Sequence, residues 1–223
     1  MNAIEAIHNR RSIRAFLPDA IENEKLTTIL ESASRAPSWA NTQPWEVFVA
    51  TGDTLDKIKE EYLRNYSEGM SGTPDMPMPA ELTEATKSRM IELHSGIERD
   101  CGEAAKRIGE FHKTLYNAPA VVVVCIDKML SEWSIYDAGA YVQTLMLAAT
   151  ELGLGSIPAV SLVSFPDILR RELLIPENLK IIIGVAIGYA DTGNEINNFI
   201  SDRRPFSDFH VDVMHHKRMC LKL

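Results

Sequence analysis

The stretch APAVVVVCID, residues 118–127, decides the fold class of this chain. Its apolar, largely β-branched residues leave no polar side for water, and Pro119 and Asp127 bound the run. Such a run predicts a strand that is covered on both faces and lies in the middle of a sheet. A second run of this kind, KIIIGVAIGYAD at residues 180–191, predicts another fully buried strand.

Shorter patterns on either side of these strands predict the other elements. Asn2 and Glu5 have the spacing of a capping pair, which predicts a helix that starts at once. EKLTTILESASRA at residues 24–36 predicts a second helix that ends before Pro37, and PDILRRELLIP at 166–176 predicts a shorter one. Trp45 to Ala50 predicts a strand. Long, unequal connections between these elements favour an α+β fold over a regular alternation.

One helix stands out by its apolar surface. From Ile135 to Leu152 apolar residues recur at helical spacing and surround most of the circumference, and Gly153 and Gly155 end the pattern. A helix of this kind is either buried centrally or shared with another subunit. A second copy packed about a two-fold axis is the simplest cover, so we expect a homodimer.

Composition narrows the class of protein. With 223 residues, 45% of them hydrophobic and 24% charged, the chain is expected to form a single domain over residues 1–223. The formal net charge of −8 argues against a nucleic-acid partner. No apolar run approaches the roughly 20 residues of a membrane span, and the polar N-terminus is unlike a signal peptide. The cysteines, three in number and widely spaced, fit reduced thiols, so we expect a cytoplasmic protein.

The polar part of the chain, about residues 55–115, interrupts this pattern. Glycines and prolines crowd its middle, between Gly69 and Pro79. We expect helices around a mobile excursion that could serve as a lid.

NRRSIRAF, residues 9–16, places three arginines and a serine in an otherwise acidic protein. In an extended segment Ser12 and Arg14 share one side, and Arg10 can reach that side from the end of the first helix. Guanidinium groups and a hydroxyl on one face suit a phosphate dianion. A solvated charge run with surface ion pairs explains the same residues, and both interpretations stay open on this stretch alone.

RAPSWANTQPWEV, residues 35–47, is a loop between a helix and a strand. Its amide and hydroxyl side chains can donate to and accept from the edge of a heterocycle. The alternative is a tightly packed turn whose tryptophans, Trp39 and Trp45, belong to the core, and for Trp45 this alternative is favoured.

Other patterns exclude classes of site. No glycine-rich dinucleotide fingerprint follows a strand and no Walker-type phosphate loop is present, so a separate dinucleotide-binding unit is not expected. His210, His215, His216 and Cys220 in the polar tail do not have the spacing of a compact metal site, and no metal is expected.

The order and spacing of four motifs resemble the FMN-dependent nitroreductase family. They are Arg10–Arg14, Pro37–Trp45, Asp137–Pro158 with its ending LGLGSIP, and IIIGVAIGYAD followed by Arg203–Pro205. The resemblance covers most of the chain outside the excursion. It implies a mixed, mostly antiparallel central sheet flanked by helices, in an intertwined homodimer.

The resemblance also implies FMN as the cofactor and a set of residues that bind it. Arg10, Ser12 and Arg14, together with Arg203, would hold the phosphate and its ribityl neighbourhood. Pro37, Ser38 and Asn41 would approach the flavin from the other subunit. Asp137 falls at a pyrimidine-edge position, and the backbone near Val160 and Ser161 would face the reactive ring nitrogen. The full cofactor-binding set is Arg10, Arg11, Ser12, Arg14, Pro37, Ser38, Trp39, Asn41, Asp137, Val160, Ser161 and Arg203.

The implied activity is reduction of nitroaromatics, quinones or similar flat acceptors by NAD(P)H, with donor and acceptor using one site in turn. The flavin supplies the chemistry, so no general acid or base is named. In one alternative the protein still binds a flavin but catalyses reductive dehalogenation or the breakdown of flavin itself. A zwitterionic substrate would then be bound by Glu60, Glu61, Tyr62 and Lys87. Another alternative is a non-catalytic nucleotide-binding regulatory module.

Overall fold

The computed structural model describes residues 2–209 of the chain. Its strands are β1 (Trp45–Thr51), β2 (Ala120–Asp127), β3 (Gly155–Ala159) and β4 (Leu179–Gly188). Its helices are α1 (Ala3–Asn9), α2 (Asn23–Ala33), α3 (Gly52–Ser67), α4 (Glu84–Cys101), α5 (Ile108–Lys113), α6 (Glu132–Glu151) and α7 (Pro166–Leu173). The strands and helices form one α+β arrangement, as the sequence predicts.

The strands form a four-stranded sheet in the order β1-β2-β4-β3, and each neighbouring pair is antiparallel. β2 and β4 are central, which confirms the prediction for the two apolar runs. A single parallel bridge, between Ser12 and Ser156, adds the N-terminal segment beside β3. The mostly antiparallel sheet is therefore confirmed.

Side chains of β2 alternate between two separate cores. Val121, Val123 and Cys125 belong to one apolar cluster. Val122 and Val124 belong to the other. Since successive strand residues point to opposite faces, the sheet is buried on both sides. Helices α2 and α6 cover one face, and α3, α4, α5 and α7 cover the other.

Helix α6 begins three residues earlier than the Ile135 predicted, and its core side is covered within the chain. Leu145 and Ala149 are fully buried against β2, β4 and α2. For those positions the structure therefore agrees with a centrally buried helix, and the second copy expected as the simplest cover is not needed there; the homodimer stays a prediction. The exposed part of its surface is a narrower stripe through Tyr136, Gly139 and Gln143.

The glycine-rich ending LGLGSIP, expected as a loop, contains strand β3. A Cβ on Gly155 would lie 2.6 Å from the Ile13 side chain, so the glycine lets the N-terminal segment pack directly on the strand. Glycines that serve this close approach looked like loop residues in the sequence.

The excursion contains helices α3, α4 and α5, and the irregular middle between α3 and α4 is anchored. The Asp75 carboxylate accepts hydrogen bonds from the Arg170 guanidinium and from the Ile181 backbone N–H, each at 2.8 Å. The Thr73 N–H donates to the Ser164 carbonyl at 2.8 Å. A lid motion stays a prediction, and any such motion around residues 73–75 would have to break these bonds.

Candidate functional site

A cavity of about 600 Å³ lies where the end of α1 meets the C-terminal segment. Asn2 and Glu5 form a capping box that fixes the start of α1, and the chain turns extended at Arg10. This short helix brings Arg10 and Arg11 opposite Ser201 and Arg203. We call the space lined by these four residues, with Ile7, His8, Asn9 and Ile200, the arginine cavity.

The charges in the arginine cavity are not balanced by acids. Burial, and then repulsion by Arg203, lowers the pKa of Arg10, so the two guanidinium groups are close enough to disfavour each other. Within residues 2–209 no carboxylate lies at ion-pair distance from Arg10, Arg11 or Arg203. Arg203 donates instead to the Ser201 hydroxyl at 2.7 Å and to nearby carbonyl groups. Converging cations without acids favour an anion.

Ser12 and Arg14, predicted to share a face with Arg10, do not line this cavity. Ser12 lies in the bridge to Ser156, while the Arg14 guanidinium packs over the Phe199 ring at 5.7 Å. Burial lowers the pKa of Arg14, and no carboxylate in the described chain pairs with it. The predicted set is therefore split, with Arg10 at the cavity and Arg14 deeper in the fold.

Asn197 holds this segment and was missed by the sequence analysis. Its side-chain oxygen accepts from the Arg14 and Ala15 N–H groups, at 2.7 and 3.2 Å. Its amide nitrogen donates to the Ala15 and Asp191 carbonyls. Since Arg14 and Ala15 lie more than 180 residues away along the chain, no local pattern could have revealed these two partners.

The second predicted stretch forms what we call the tryptophan loop, residues 37–45. The Asp137 carboxylate on α6 accepts from the Trp39 N–H at 3.1 Å, and the Ser38 hydroxyl accepts from the Gln43 N–H at 2.9 Å. Asp137 is buried, and its hydrogen bond to Trp39 acts as a brace that ties this loop to α6. Trp39 is 73% exposed, so the core interpretation is wrong for Trp39.

Trp45 packs on Tyr141 of α6 with ring centroids 5.1 Å apart, which agrees with its predicted core role. Trp39 instead forms one wall of an apolar cavity of about 650 Å³. Its other lining residues include Met129, Leu130, Trp133 and Asp137. Within one chain this apolar cavity has no lining residue in common with the arginine cavity.

Val160 and Ser161 begin a 3-10 turn directly after β3, Val160–Val163. Val160 is 42% exposed, and the Ser161 hydroxyl lies 3.2 Å from the hydroxyl of Tyr116. In the same turn, the Leu162 carbonyl accepts a hydrogen bond from the buried Tyr62 hydroxyl at 3.0 Å. The predicted ring-facing turn is therefore held by two tyrosines.

Backbone strain concentrates near these loops. Of the seven non-glycine residues with positive φ in the described chain, six lie in two places, 40–43 and 115–117. Each such residue costs on the order of 1 kcal/mol or more and persists only where its surroundings enforce it. Residues 40–43 belong to the tryptophan loop, and residues 115–117 form the segment that carries Tyr116.

The dehalogenase clamp is not assembled. Tyr62 is fully buried and already bonded, Glu61 pairs with Arg64 and Arg171, and Lys87 pairs with Glu84. These side chains do not converge on a common space.

Two kinds of feature are absent from residues 2–209, a metal site and a membrane-spanning helix. No group of three or more His, Cys, Asp or Glu side chains there could hold a metal ion. No helix in that part of the chain has the length and apolar character needed to cross a bilayer. His210, His215, His216 and Cys220 lie outside the described residues.

Comparison with known proteins identifies the family. The family model for the nitroreductase family matches residues 7–189. The 4-nitrobenzoate reductase of Pseudomonas putida is 30% identical over 209 residues, which cover 91% of this chain and 92% of the relative. The chain belongs to the nitroreductase family.

Solved structures in the nitroreductase family show the same fold. The FMN-dependent nitroreductase NfnB from Mycobacterium smegmatis, in complex with NADPH, superposes with a TM-score of 0.86 at 30% identity, covering 94% of this chain and 97% of that one. The FMN- and NADPH-dependent NfnB from a Sphingopyxis strain gives 0.86 at 27% identity, with 95% and 98% covered. The excursion and both cavities therefore lie within a fold shared with these nitroreductases.

Proposed function

We propose that this protein is an FMN-dependent oxidoreductase that uses NAD(P)H to reduce nitroaromatics, quinones or similar flat acceptors. The observation that carries the proposal is the arginine cavity, where three guanidinium groups converge with no carboxylate partner among the described residues. A phosphate dianion is the ligand that balances such a cluster.

The residues present fit FMN. Arg10 and Arg203 would hold its phosphate with charge-assisted hydrogen bonds, and Arg11 and Ser201 complete the lining. When bound, the flavin takes two electrons as hydride from the nicotinamide and passes them to the acceptor. The protein's part is to bind and orient the flavin and its substrates and to exclude water.

We place the ring end of the cofactor at the turn of Val160 and Ser161, as the resemblance implies. A single open site there would admit the nicotinamide and then, after it leaves, the acceptor. This order predicts ping-pong kinetics.

The apolar cavity beside Trp39 supports the proposal that the acceptor is flat and aromatic. Trp39 and Trp133 are both more than 70% exposed, and Met129 and Leu130 add adaptable apolar surface. Large exposed aromatic side chains next to one cavity are typical of a binding surface.

The assembly we propose is a homodimer with two equivalent sites. In a single chain the tryptophan loop and the arginine cavity are separate, so Pro37, Ser38 and Asn41 would reach the flavin of the partner subunit. The α6 stripe through Tyr136, Gly139 and Gln143 supplies exposed surface for a two-fold contact.

We also propose the cytoplasm as its compartment. Cys101 and Cys125 are both buried free thiols, which suits a reducing environment and a reaction that draws on reduced nicotinamide.

The visible absorption spectrum of the purified protein tests the cofactor, and initial rates with NADPH and a nitroarene test the reaction. We expect flavin absorbance and parallel double-reciprocal lines. A colourless protein that fails to take up added FMN would contradict the proposal. Flavin-free protein that still binds nucleotides would favour the regulatory module, and tight binding of iodotyrosine would favour the dehalogenase.

A further inference from the structure

Tyr116 lies between the two predicted parts of the flavin site. Its side chain is 2% exposed, and its hydroxyl is 3.2 Å from the hydroxyl of Ser161. Arg14 is close enough to shift its ionisation. Tyr116 therefore joins the N-terminal arginine segment to the turn that follows β3.

The backbone that carries Tyr116 is held in a rare conformation. Leu115, Tyr116 and Asn117 have φ values of 50, 60 and 54°, three left-handed residues in succession and none of them glycine. Leu115 and Ala118 are fully buried and fix the segment at both ends. Strain of this kind persists where the surrounding fold enforces one side-chain direction. Here that direction points the tyrosine at Ser161.

Either hydroxyl of the Tyr116–Ser161 pair can donate to the other. Burial raises the pKa of Tyr116, and the nearby Arg14 guanidinium offsets this rise only in part, so the tyrosine keeps its proton at neutral pH. His112 packs edge-to-face on the ring at 5.6 Å, and burial together with Arg14 lowers its pKa, which favours the neutral imidazole. A protonated Tyr116 can therefore donate to the oxygen of Ser161, 3.2 Å away. Ser161, as the acceptor, keeps its own proton for a group outside this pair.

We propose that Tyr116 is a positioning residue that holds the Ser161 hydroxyl as an outward-facing hydrogen-bond donor to the polar edge of the flavin ring. The inference rests on the proposed function and deepens it, because it assigns a role to two side chains 45 residues apart in the sequence. No proton or electron is transferred to Tyr116 in this role.

The test uses Tyr116→Phe and Ser161→Ala in the full-length holoenzyme, with Tyr62→Phe as the matched control. Tyr62 holds the same turn through hydrogen bonds with the Leu162 carbonyl and the Phe165 N–H rather than with Ser161. The measurements are FMN stoichiometry, the midpoint potential of bound FMN, and kcat and KM with NADPH and a nitroarene.

We expect Tyr116→Phe and Ser161→Ala to retain FMN, to shift its midpoint potential in the same direction and to lower kcat. One neutral hydrogen bond corresponds to a loss of roughly three- to tenfold. The double variant should lose no more than either single variant, because both remove the same interaction. Tyr62→Phe should lower the melting temperature and leave the potential unchanged.

Equal midpoint potentials of FMN bound to Tyr116→Phe and to the wild type would overturn the inference. A double variant whose loss of kcat equals the product of the two single losses would also overturn it. If Tyr116→Phe does not fold, Ser161→Ala alone decides, since it leaves the strained segment untouched. A wild-type protein that binds no FMN would overturn both this inference and the proposed function. A wild type that binds FMN, with unaffected variants, would overturn the inference alone.

Discussion

The arginine cavity and the Tyr116–Ser161 pair are built in opposite ways. Arg10, Arg11 and Arg203 are partly exposed charges without carboxylate partners in the described chain, whereas Tyr116 is buried and bonded. Among residues 2–209 no carboxylate balances the arginine cavity, and in our proposal the phosphate of the ligand does so. The Tyr116–Ser161 pair is complete within the chain.

Because of this difference, the arginine cavity is expected to set the affinity for flavin, and the Tyr116–Ser161 pair is expected to set the properties of the bound flavin. A cluster of unbalanced cations gives binding energy for an anion, while a single neutral hydrogen bond between buried groups fixes orientation. Changes at the arginine cavity should therefore alter whether flavin binds, and changes at Tyr116 should alter how bound flavin behaves.

The largest effect is expected from breaking the proposed assembly with Gly139→Arg. No atom outside the local backbone lies within 4 Å of a Cβ built there, so one chain accommodates the side chain, and loss of a helical glycine favours the helix. Sedimentation should show a folded monomer without FMN or activity.

Gly139→Ala is the control and should stay dimeric and yellow. An FMN-loaded dimer of Gly139→Arg would place the subunit contact elsewhere.

The next effect concerns the arginine cavity itself. Arg10→Gln should weaken FMN binding roughly 10- to 100-fold, and adding Arg203→Gln should weaken it further, since each removes a charge-assisted hydrogen bond. Titration followed by flavin fluorescence measures both.

Arg107→Gln is the matched control, because the Arg107 guanidinium is exposed and already paired with Glu110 at 3.0 Å. If Arg10→Gln binds FMN as tightly as this control, the phosphate is held elsewhere.

Asp75→Asn separates stability from flavin binding. It weakens the acceptor of the Arg170 guanidinium, whose side chain is only 9% exposed, so an unfolding free-energy loss of about 2–4 kcal/mol is expected. Denaturant unfolding measures the loss, and FMN stoichiometry at 25 °C should remain that of the wild type. An unchanged unfolding free energy would mean that the anchor of the excursion contributes little to stability. That result would favour the prediction of a mobile lid.

The smallest effect is alkaline destabilisation. Burial raises the pKa of Tyr141 from 10.0 to about 12 and that of Cys125 from 9.0 to about 12. Since both folded values exceed the unfolded ones, this stability is fully present below pH 9 and is lost as pH rises from 9 towards 12. Melting temperatures should fall across that window.

Tyr141→Phe should make the decline shallower above pH 10, by less than about 1 kcal/mol after solvent screening. An identical pH profile for this variant would show that Tyr141 ionises as freely in the fold as outside it.

The sequence predicted the elements whose signals are local. The apolar runs of β2 and β4 and the capping pair of α1 appear where expected, because burial on both faces and helix capping leave a pattern within a few residues. Strand β3 was missed because Gly155 and Pro158 resemble a loop, and its strand character depends on pairing with β4.

The candidate site shows the same limit. The charges of Arg10 and Arg203 allowed the sequence to predict both as binding residues. The packing of Arg14 over the Phe199 ring could not be predicted in this way. Asn197 and Tyr116 depend on partners far along the chain, and the brace from Asp137 to Trp39 spans 98 residues. Long-range hydrogen bonds leave no periodic or local signal that sequence analysis can use.

The central claim is that this chain binds FMN through its phosphate at the arginine cavity. Its most direct test is the affinity of the flavin-free protein for FMN and for riboflavin, measured side by side by fluorescence titration. Because riboflavin lacks the phosphate, FMN should bind at least about 100-fold more tightly, the equivalent of one or two charge-assisted hydrogen bonds. Equal affinities for the two flavins, or no binding of either, would contradict the account.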